Sequence, residues 1–412
     1  MKKLLLVLIA SMLVAGLTAC TPKEVASQGV TDDEVLIANC AATSGGYSVV
    51  GIPFVAGIEA YLKYVNDQGG VDGRTVKFLH QDDEFDPVKG KACLDSMIND
   101  EQVFAIVGHF GTPVVGATLQ DLKDAGIPAV YFATGIGALY DDKATVEEKN
   151  TNIFPVQPIY TTEGRIMVAR AIGDYSATKI GVIYTNDDAG KDMLKGAEVE
   201  AAAQGVELVK VQVTVGGADV SAAVTTIKEA NVDFIIGASI QGTIPTIIKE
   251  LAAQGVDKDV ITTYVNVSPA IASLFVDDIQ GKFDVYGNGW VAFDAAHADA
   301  LTLYQANIDA AYALNVYAIT GWIAGYYFVE GLKRLEGKVV NWENYIEAME
   351  EAPITNPFGG VIDYKDGARM GTQEMNLSKV VLNPAWDGVT ATMKGIWTAE
   401  KGLEGIDAIL GN

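Results

Sequence analysis

An α/β fold of two doubly wound lobes, each a mainly parallel sheet flanked by helices, is predicted by three observations. Short apolar, β-prone runs alternate with amphipathic helical stretches at close spacing, the pattern of βαβ units. The series occurs twice along the chain without sequence repetition, so the two halves share an architecture. A chain of 412 residues, 49% hydrophobic and 20% charged, is long and apolar enough to bury two cores.

The first series opens with the strand Val35 to Ala41, followed by Thr43-Ser44-Gly45-Gly46-Tyr47 and an amphipathic helix to Asn66. A GGVDG turn introduces the strand TVKFLHQDD, and a helix from Asp86 to Asp100 follows, with Pro87 in its first turn. Phe104 to Pro113, FAIVGHFGTP, is a buried strand running into a Gly-rich loop. In an open parallel sheet a ligand sits just beyond such a strand end. Helix Val114 to Ala125 and strand AVYFAT complete the series, which ends near Phe154-Pro155.

The second series runs through a helix from Thr162 to Tyr175, the strand KIGVIYTND, a helix from Gly190 to Gln204 and the strand ELVKVQV. It continues with a helix from Val220 to Ala230, the strand DFIIGAS, a helix to Gln254 and VITTYVNV. FDVYGNGWVAF reads as a strand returning to the first lobe, with Gly287 and Gly289 permitting a bend. The apolar run Ala311 to Leu332 carries Asn315 and Glu330 and closes on Lys333-Arg334, which suits a core helix. A helix from Trp342 to Glu351 and a β-rich segment over 358–398 follow.

The N-terminus has its own logic. Lys2-Lys3, the apolar run Leu4 to Leu17 and Leu17-Thr18-Ala19-Cys20 resemble the lipobox of bacterial lipoproteins, in which the cysteine becomes a diacylated N-terminus. Residues 1–19 are then a signal peptide and 20–33 a lipidated tether. Of the other cysteines, Cys40 ends a predicted strand and Cys93 lies within a predicted helix. That placement favours buried free thiols, although outside the cytoplasm the two could pair. No spacing suggests a metal site.

Acids exceed bases 53 to 29, a net charge of −24, which argues against a nucleic-acid partner because a phosphate backbone requires a cationic footprint. Catalytic constellations are scarce. Of the three histidines, His109 precedes the focal loop, but no Ser/Asp spacing completes a triad, and a structural histidine is expected. Asp82-Asp83-Glu84 reads as a solvated loop. No GxxxxGK[ST] loop occurs, and Gly135-Ile136-Gly137 lacks a third glycine, so neither enzyme activity nor a cofactor is expected.

Three strand ends of the first lobe carry small or hydroxyl residues: Thr43-Ser44-Gly45-Gly46-Tyr47, Phe110-Gly111-Thr112, and Ala133-Thr134-Gly135. Hydroxyls and helix N-terminal N–H groups together suit a carboxylate. In the second lobe the equivalent ends hold Asp187 and Ala189, Ile240 and Gln241, and Tyr264. A carboxylate there would pair with a ligand ammonium, while Asp187 is equally suited to capping the Gly190 helix.

From about Glu34 to Gly395 the chain resembles the type I periplasmic binding proteins of the branched-chain amino acid transport family, the solute receptors of ABC importers. The stretches AYLKYVNDQGGVDGRTVKFLHQDDEFDP, FAIVGHFGTPVVGATLQDL, IPAVYFATG and KIGVIYTNDDAGKD, in that order, carry the resemblance. It implies two lobes joined by three crossing segments and closing over a small solute, with lobe 1 from 34–155 and 290–336, lobe 2 from 156–289 and 337–398, and a tail over 399–412. It implies an extracytoplasmic, lipid-anchored protein that delivers a small amino acid or related carboxylate or amide to permease subunits and their ATPases. The anchor would lie on the outer face of a Gram-positive membrane or the periplasmic side of a Gram-negative one. A sensory receptor of the same fold, feeding a signalling partner, is the alternative.

Within the resemblance Thr112 takes the place of the hydroxyl that holds the ligand carboxylate. Gly135 replaces a second hydroxyl, which a one-residue shift would restore as Thr134. Tyr264 stands where the family has an acidic residue for the ligand ammonium, and Ala189 and Ile240 stand where it has aromatic contacts. Asp187 is then the candidate for the missing charge.

Overall fold

The computed structural model describes residues 24–140, 151–387 and 393–411. The expected signal peptide and the lipid-bearing Cys20 lie outside the described residues.

Fourteen strands are described: β1 Glu34–Ala41, β2 Thr75–Asp82, β3 Ala105–Phe110, β4 Ala129–Ala133, β5 Ile153–Phe154, β6 Lys179–Thr185, β7 Glu207–Val213, β8 Phe234–Ala238, β9 Val260–Thr262, β10 Val285–Gly289, β11 Ile354–Thr355, β12 Val361–Ile362, β13 Glu374–Leu382 and β14 Gly395–Gly405. The helices are α1 Ser48–Asp67, α2 Pro87–Asp95, α3 Thr112–Ala125, α4 Tyr160–Gly173, α5 Asp188–Gln204, α6 Ser221–Ala230, α7 Ile244–Ala253, the single turns α8 Pro269–Ala272 and α9 Val276–Ile279, α10 Ala298–Asn307, α11 Val316–Lys333, α12 Trp342–Glu351 and α13 Ile406–Leu410.

The first sheet has the order β2-β1-β3-β4-β5 and is parallel throughout. The second runs β14-β13-β10-β9-β8-β6-β7, parallel from β10 to β7 and antiparallel at β13 and β14. In each lobe the order of the first three strands reverses beside the first strand, β1 or β6. That crevice beyond the strand ends is where such sheets bind ligands. Strands β3 and β8 are buried at every position, as expected of central parallel strands covered on both faces.

The chain leaves the first sheet after β5, returns after β10 to helix α11, which packs on α1, and rejoins the second sheet between α12 and β13. Helix α11 has the expected core character, with Trp322, Ile323, Tyr327 and Phe328 buried, and packs along α1. Gly57 and Gly321 let the two backbones approach, since a Cβ at either would strike a carbonyl of the other helix at 1.9 Å. One continuous apolar core runs from Val35 and Phe54 through Trp290 and Tyr317 to Met375, tying both lobes together.

Several expectations are corrected. Cys40 and Cys93 are not free thiols but form a disulfide, Cα atoms 6.2 Å apart, because helix α2 lies directly against β1. The expected tail is folded over its described residues 399–411: β14 extends to Gly405 as the edge of the second sheet, and α13 then packs on α4. Helix α12 belongs with lobe 1 rather than lobe 2, its Trp342 indole donating to the Phe104 carbonyl at 2.7 Å and Tyr345 to the Phe328 carbonyl. The predicted helix over 86–100 divides into α2 and a π-type turn, Ser96–Asp100.

Gly287 and Gly289 mark close approach rather than a bend. A Cβ at Gly287 would meet Val267 at 2.5 Å and the Trp397 ring at 2.9 Å, and one at Gly289 would meet Asn376 at 2.3 Å. Asp83 is fully buried, not a solvated loop residue.

Candidate functional site

The strand ends converge on one cavity of about 580 Å³ between the lobes. Lobe 1 contributes Tyr47, Phe85 and the Phe110-Gly111-Thr112 strand end, with Ala133 from the next strand. Lobe 2 contributes Ile240, Gln241, Tyr264 and Val265. The crossing segments supply Gln157, Tyr160 and Trp290, and helix α11 supplies Tyr317.

The sequence folds locally so as to aim these groups. Gly111 takes φ +90°, a conformation that L side chains rarely adopt, and a Cβ there would lie 2.5 Å from the Phe85 ring. Its turn releases β3 directly into α3, where Thr112 N–H has no partner within the helix and Pro113 carries none, so the helix opens at the cavity wall through Thr112. Beside them Thr112 Oγ1 lies 2.8 Å from Thr134 Oγ1, both buried. The Tyr160 phenol packs against these hydroxyls, and burial pushes its pKa up to about 12, so it remains a neutral donor. Two hydroxyls, a phenol and the Thr112 N–H lie together at this end, donors of the kind that can receive an anionic oxygen.

The remaining wall is largely apolar, aliphatic side chains alternating with aromatic ones. Tyr47 stacks on Phe85 with ring centroids 3.7 Å apart. Tyr264 stacks near Tyr160 and donates its hydroxyl to Gln157 Oε1 at 3.1 Å. The Gln157 amide in turn donates to the Tyr131 hydroxyl at 2.7 Å. Tyr317, from the lobe-1 helix α11, donates across the cleft to the Val265 carbonyl at 3.0 Å.

Of the predicted residues, Tyr47, Phe110, Gly111, Thr112, Ala133, Ile240, Gln241 and Tyr264 line the cavity. Thr134 and Gly135 stand just behind the wall. Gly135 has no room for a side chain, since a Cβ would lie 2.8 Å from the Tyr264 hydroxyl. Ser44 is exposed and outside the cavity, its N–H bonded to Asp82. Ala189 is buried in the core. Asp187 does not line the cavity: its Oδ1 accepts from Gly190 N at 3.0 Å and Thr185 Oγ1 at 2.7 Å, capping α5.

His109 is enclosed in β3, Nε2 2.8 Å from Thr118 Oγ1, and burial lowers its pKa to about 4, so it stays neutral. Glu163, at the start of α4, lies behind Tyr264. Its carboxylate accepts from Thr263 Oγ1, Tyr264 N and Asn288 Nδ2, and burial pushes its pKa up to about 8.

Sequence reasoning missed Phe85, Gln157, Tyr160, Trp290, Tyr317 and Trp397. Tyr160 had a signal, since it follows Pro155 and Pro158 where one series gives way to the next. Trp290 had another, at the end of a Gly-broken strand. Tyr317 and Trp397 had none, because segments distant in sequence bring them to the cleft.

The family described as periplasmic binding protein matches residues 34–384. The chain belongs to this family. Among relatives of this periplasmic binding protein, Leu/Ile/Val-binding protein homolog 2 of Brucella abortus is 22% identical over 269 residues, 65% of this chain and 71% of the relative. Leu/Ile/Val-binding protein homolog 1 of the same organism is 25% identical over 255 residues, 62% of this chain and 67% of the relative.

Among solved structures, a fatty acid ABC transporter substrate-binding protein from Thermomonospora curvata superposes with a TM-score of 0.78 at 18% identity, covering 94% of this chain and 96% of that one. A branched-chain amino acid ABC transporter protein from Thermus thermophilus with bound valine gives 0.77 at 16% identity, covering 92% and 98%. A solute-binding protein of an ABC transporter from R. palustris in complex with benzoate gives 0.73 at 19% identity, covering 90% and 98%. These likenesses establish the type I periplasmic binding protein fold for this chain.

Proposed function

We propose that this periplasmic binding protein is the receptor of an ABC importer, held outside the cytoplasmic membrane by lipid on Cys20, and that it takes a small amino acid, carboxylate or amide between its lobes. The observation that carries the reading is the interlobe cavity with hydroxyl and N–H donors at one end and apolar, partly aromatic walls elsewhere. Thr112, with the N-terminus of α3 and the Tyr160 phenol, is the proposed anchor for an acidic group. Valine, benzoate and fatty acids, named with the similar structures, all bear a carboxylate. Closure over the solute changes the surface shown to a permease, so only the loaded form is handed on.

The Cys40–Cys93 disulfide suits an oxidising compartment, and the basic leader with its LTAC motif suits the anchor. Mass spectrometry of membrane-extracted protein reads that anchor, and an unacylated Cys20 would remove it.

A thermal-shift panel of amino acids, small carboxylates and amides tests the receptor reading. A true ligand at about 100 times its Kd adds about 2.7 kcal/mol of stability, a rise of several degrees in Tm. Thr112→Ala should reduce that rise for carboxylates. A panel without any shift would sink the reading.

A further inference from the structure

We infer that the solute is an apolar carboxylic acid without an α-amine, longer than a branched-chain amino acid. This rests on the solute-receptor reading above and narrows it to a chemical class.

Charge is the first ground. A buried ammonium requires a carboxylate facing it. Among the described residues lining the cavity, Asp294 is the one carboxylate, and it sits exposed at the rim with Oδ1 taken by Ala296 N and His297 Nδ1. Asp187 spends Oδ1 on the cap of α5 and, although its charge reaches the Tyr47 phenol, is not among the lining residues, and Glu163 is turned behind Tyr264 with both oxygens bonded. Where an ammonium would need a negative charge, the Tyr264 hydroxyl donates instead to Gln157. Lys401, the lining cation, is paired with Asp174 at 2.6 Å.

Extent is the second. An apolar cavity of about 150 Å³ suffices for a benzene, and this one is about 580 Å³. Beyond Trp290 it continues over the β10-β13-β14 end of the second sheet, where Ser378, Trp397 and Ala399 line it. The bare backbone of Gly287 and Gly289 gives Trp397 and Asn376 the space to lie against the sheet and form that end. At the cavity edge Leu314 is 77% exposed and Phe293 50% exposed, apolar surface suited to a hydrocarbon tail rather than a polar solute.

Calorimetric titration of the full chain with matched pairs tests the class: 4-methylpentanoate against leucine, and 3-phenylpropanoate against phenylalanine. The deaminated acid of each pair should bind more than about 100-fold tighter, the cost of an unpaired ammonium. Straight-chain acids from butanoate to decanoate should gain roughly fourfold per methylene until the channel is filled. Ser378→Trp should shift the preferred length downward, and if that variant fails to fold, the series on the unsubstituted chain decides alone.

Amino acids binding as tightly as their deaminated partners would overturn the inference while leaving the receptor reading intact. Affinity that stops rising at butanoate would overturn the extended site. Silence from both series also overturns the inference. The receptor reading falls with it only if the wider thermal-shift panel is silent too.

Discussion

Asp83 illustrates how far one residue can depart from its sequence context. Between two charged neighbours it reads as solvated, yet it is fully buried, with Oδ1 accepting from Phe85 N at 2.9 Å and Oδ2 without a hydrogen-bond partner among the described residues. Burial pushes its pKa up to about 7 from an ordinary 3.8, with the charge of Asp82 adding to the rise and the Phe85 N–H opposing it. The sign follows from linkage. Between the unfolded value and about 7, the folded chain holds a proton that the unfolded chain has released, so stability falls as pH rises through that window and is level above it. Asp83→Asn keeps an acceptor for Phe85 and removes the charge, so it should stabilise the fold by on the order of 4 kcal/mol at pH 8 and change little at pH 4. Thermal melts at the two pH values read this, and an equal effect at both would refute it. The same residue holds the Glu84-Phe85 turn, where both residues have positive φ, and so helps set the Phe85 wall of the cavity.

At the scale of elements, the βα alternation was legible because period and punctuation are local properties. Strand β7 and helix α12 have the predicted limits, and most other elements differ by a few residues at their ends. Helix α4 begins at Tyr160, before the expected Thr162, because Ile159 takes extended backbone directly after Pro158 and the helix starts at once. The Cys40–Cys93 link was not legible. It depends on α2 packing on β1, a contact that neither segment encodes alone. It closes a separation of 53 residues, and removing it with Cys40→Ala and Cys93→Ala should cost about 2–4 kcal/mol, by restricting the unfolded chain less. Urea unfolding of the double variant measures the loss, and an unchanged midpoint would show that the link adds nothing. Cys93 and its neighbours on α2 lie away from the cavity wall, so ligand affinity should follow folding rather than chemistry.

For the whole molecule, contacts across the mouth of the cleft hold the lobes together. Gly137 N, beside the lobe-1 strand β4, donates to Asp192 Oδ2 of helix α5 at 2.7 Å, and burial raises the Asp192 pKa. Tyr47 rises from lobe 1 to meet the loop after β8, where a Cβ on Gly242 would lie 2.9 Å from its hydroxyl. Asp192→Ala removes one latch without touching the cavity, so it should speed ligand dissociation by about fivefold, with association little changed. Stopped-flow Trp fluorescence can follow this, because Trp290 and Trp397 line the cavity. An unaltered dissociation rate would mean that the Gly137–Asp192 bond does not hold the lobes closed.

The sequence by itself determined the two βα series, their order and the strand ends that open at the cleft. These follow from apolar periodicity, turn residues and the open N–H groups of helices, all of which act over a few neighbouring residues. The place of Thr112 at one of those strand ends was legible on those grounds, and so was the capping role open to Asp187. Only the tertiary structure decided that Asp187 caps α5 outside the cavity, that Gly287 and Gly289 serve close packing, that Asp83 is buried, and that Trp290, Tyr317 and Trp397 wall one cavity. Each of these depends on what distant segments bring alongside, and burial, close approach and pairing are properties of that juxtaposition.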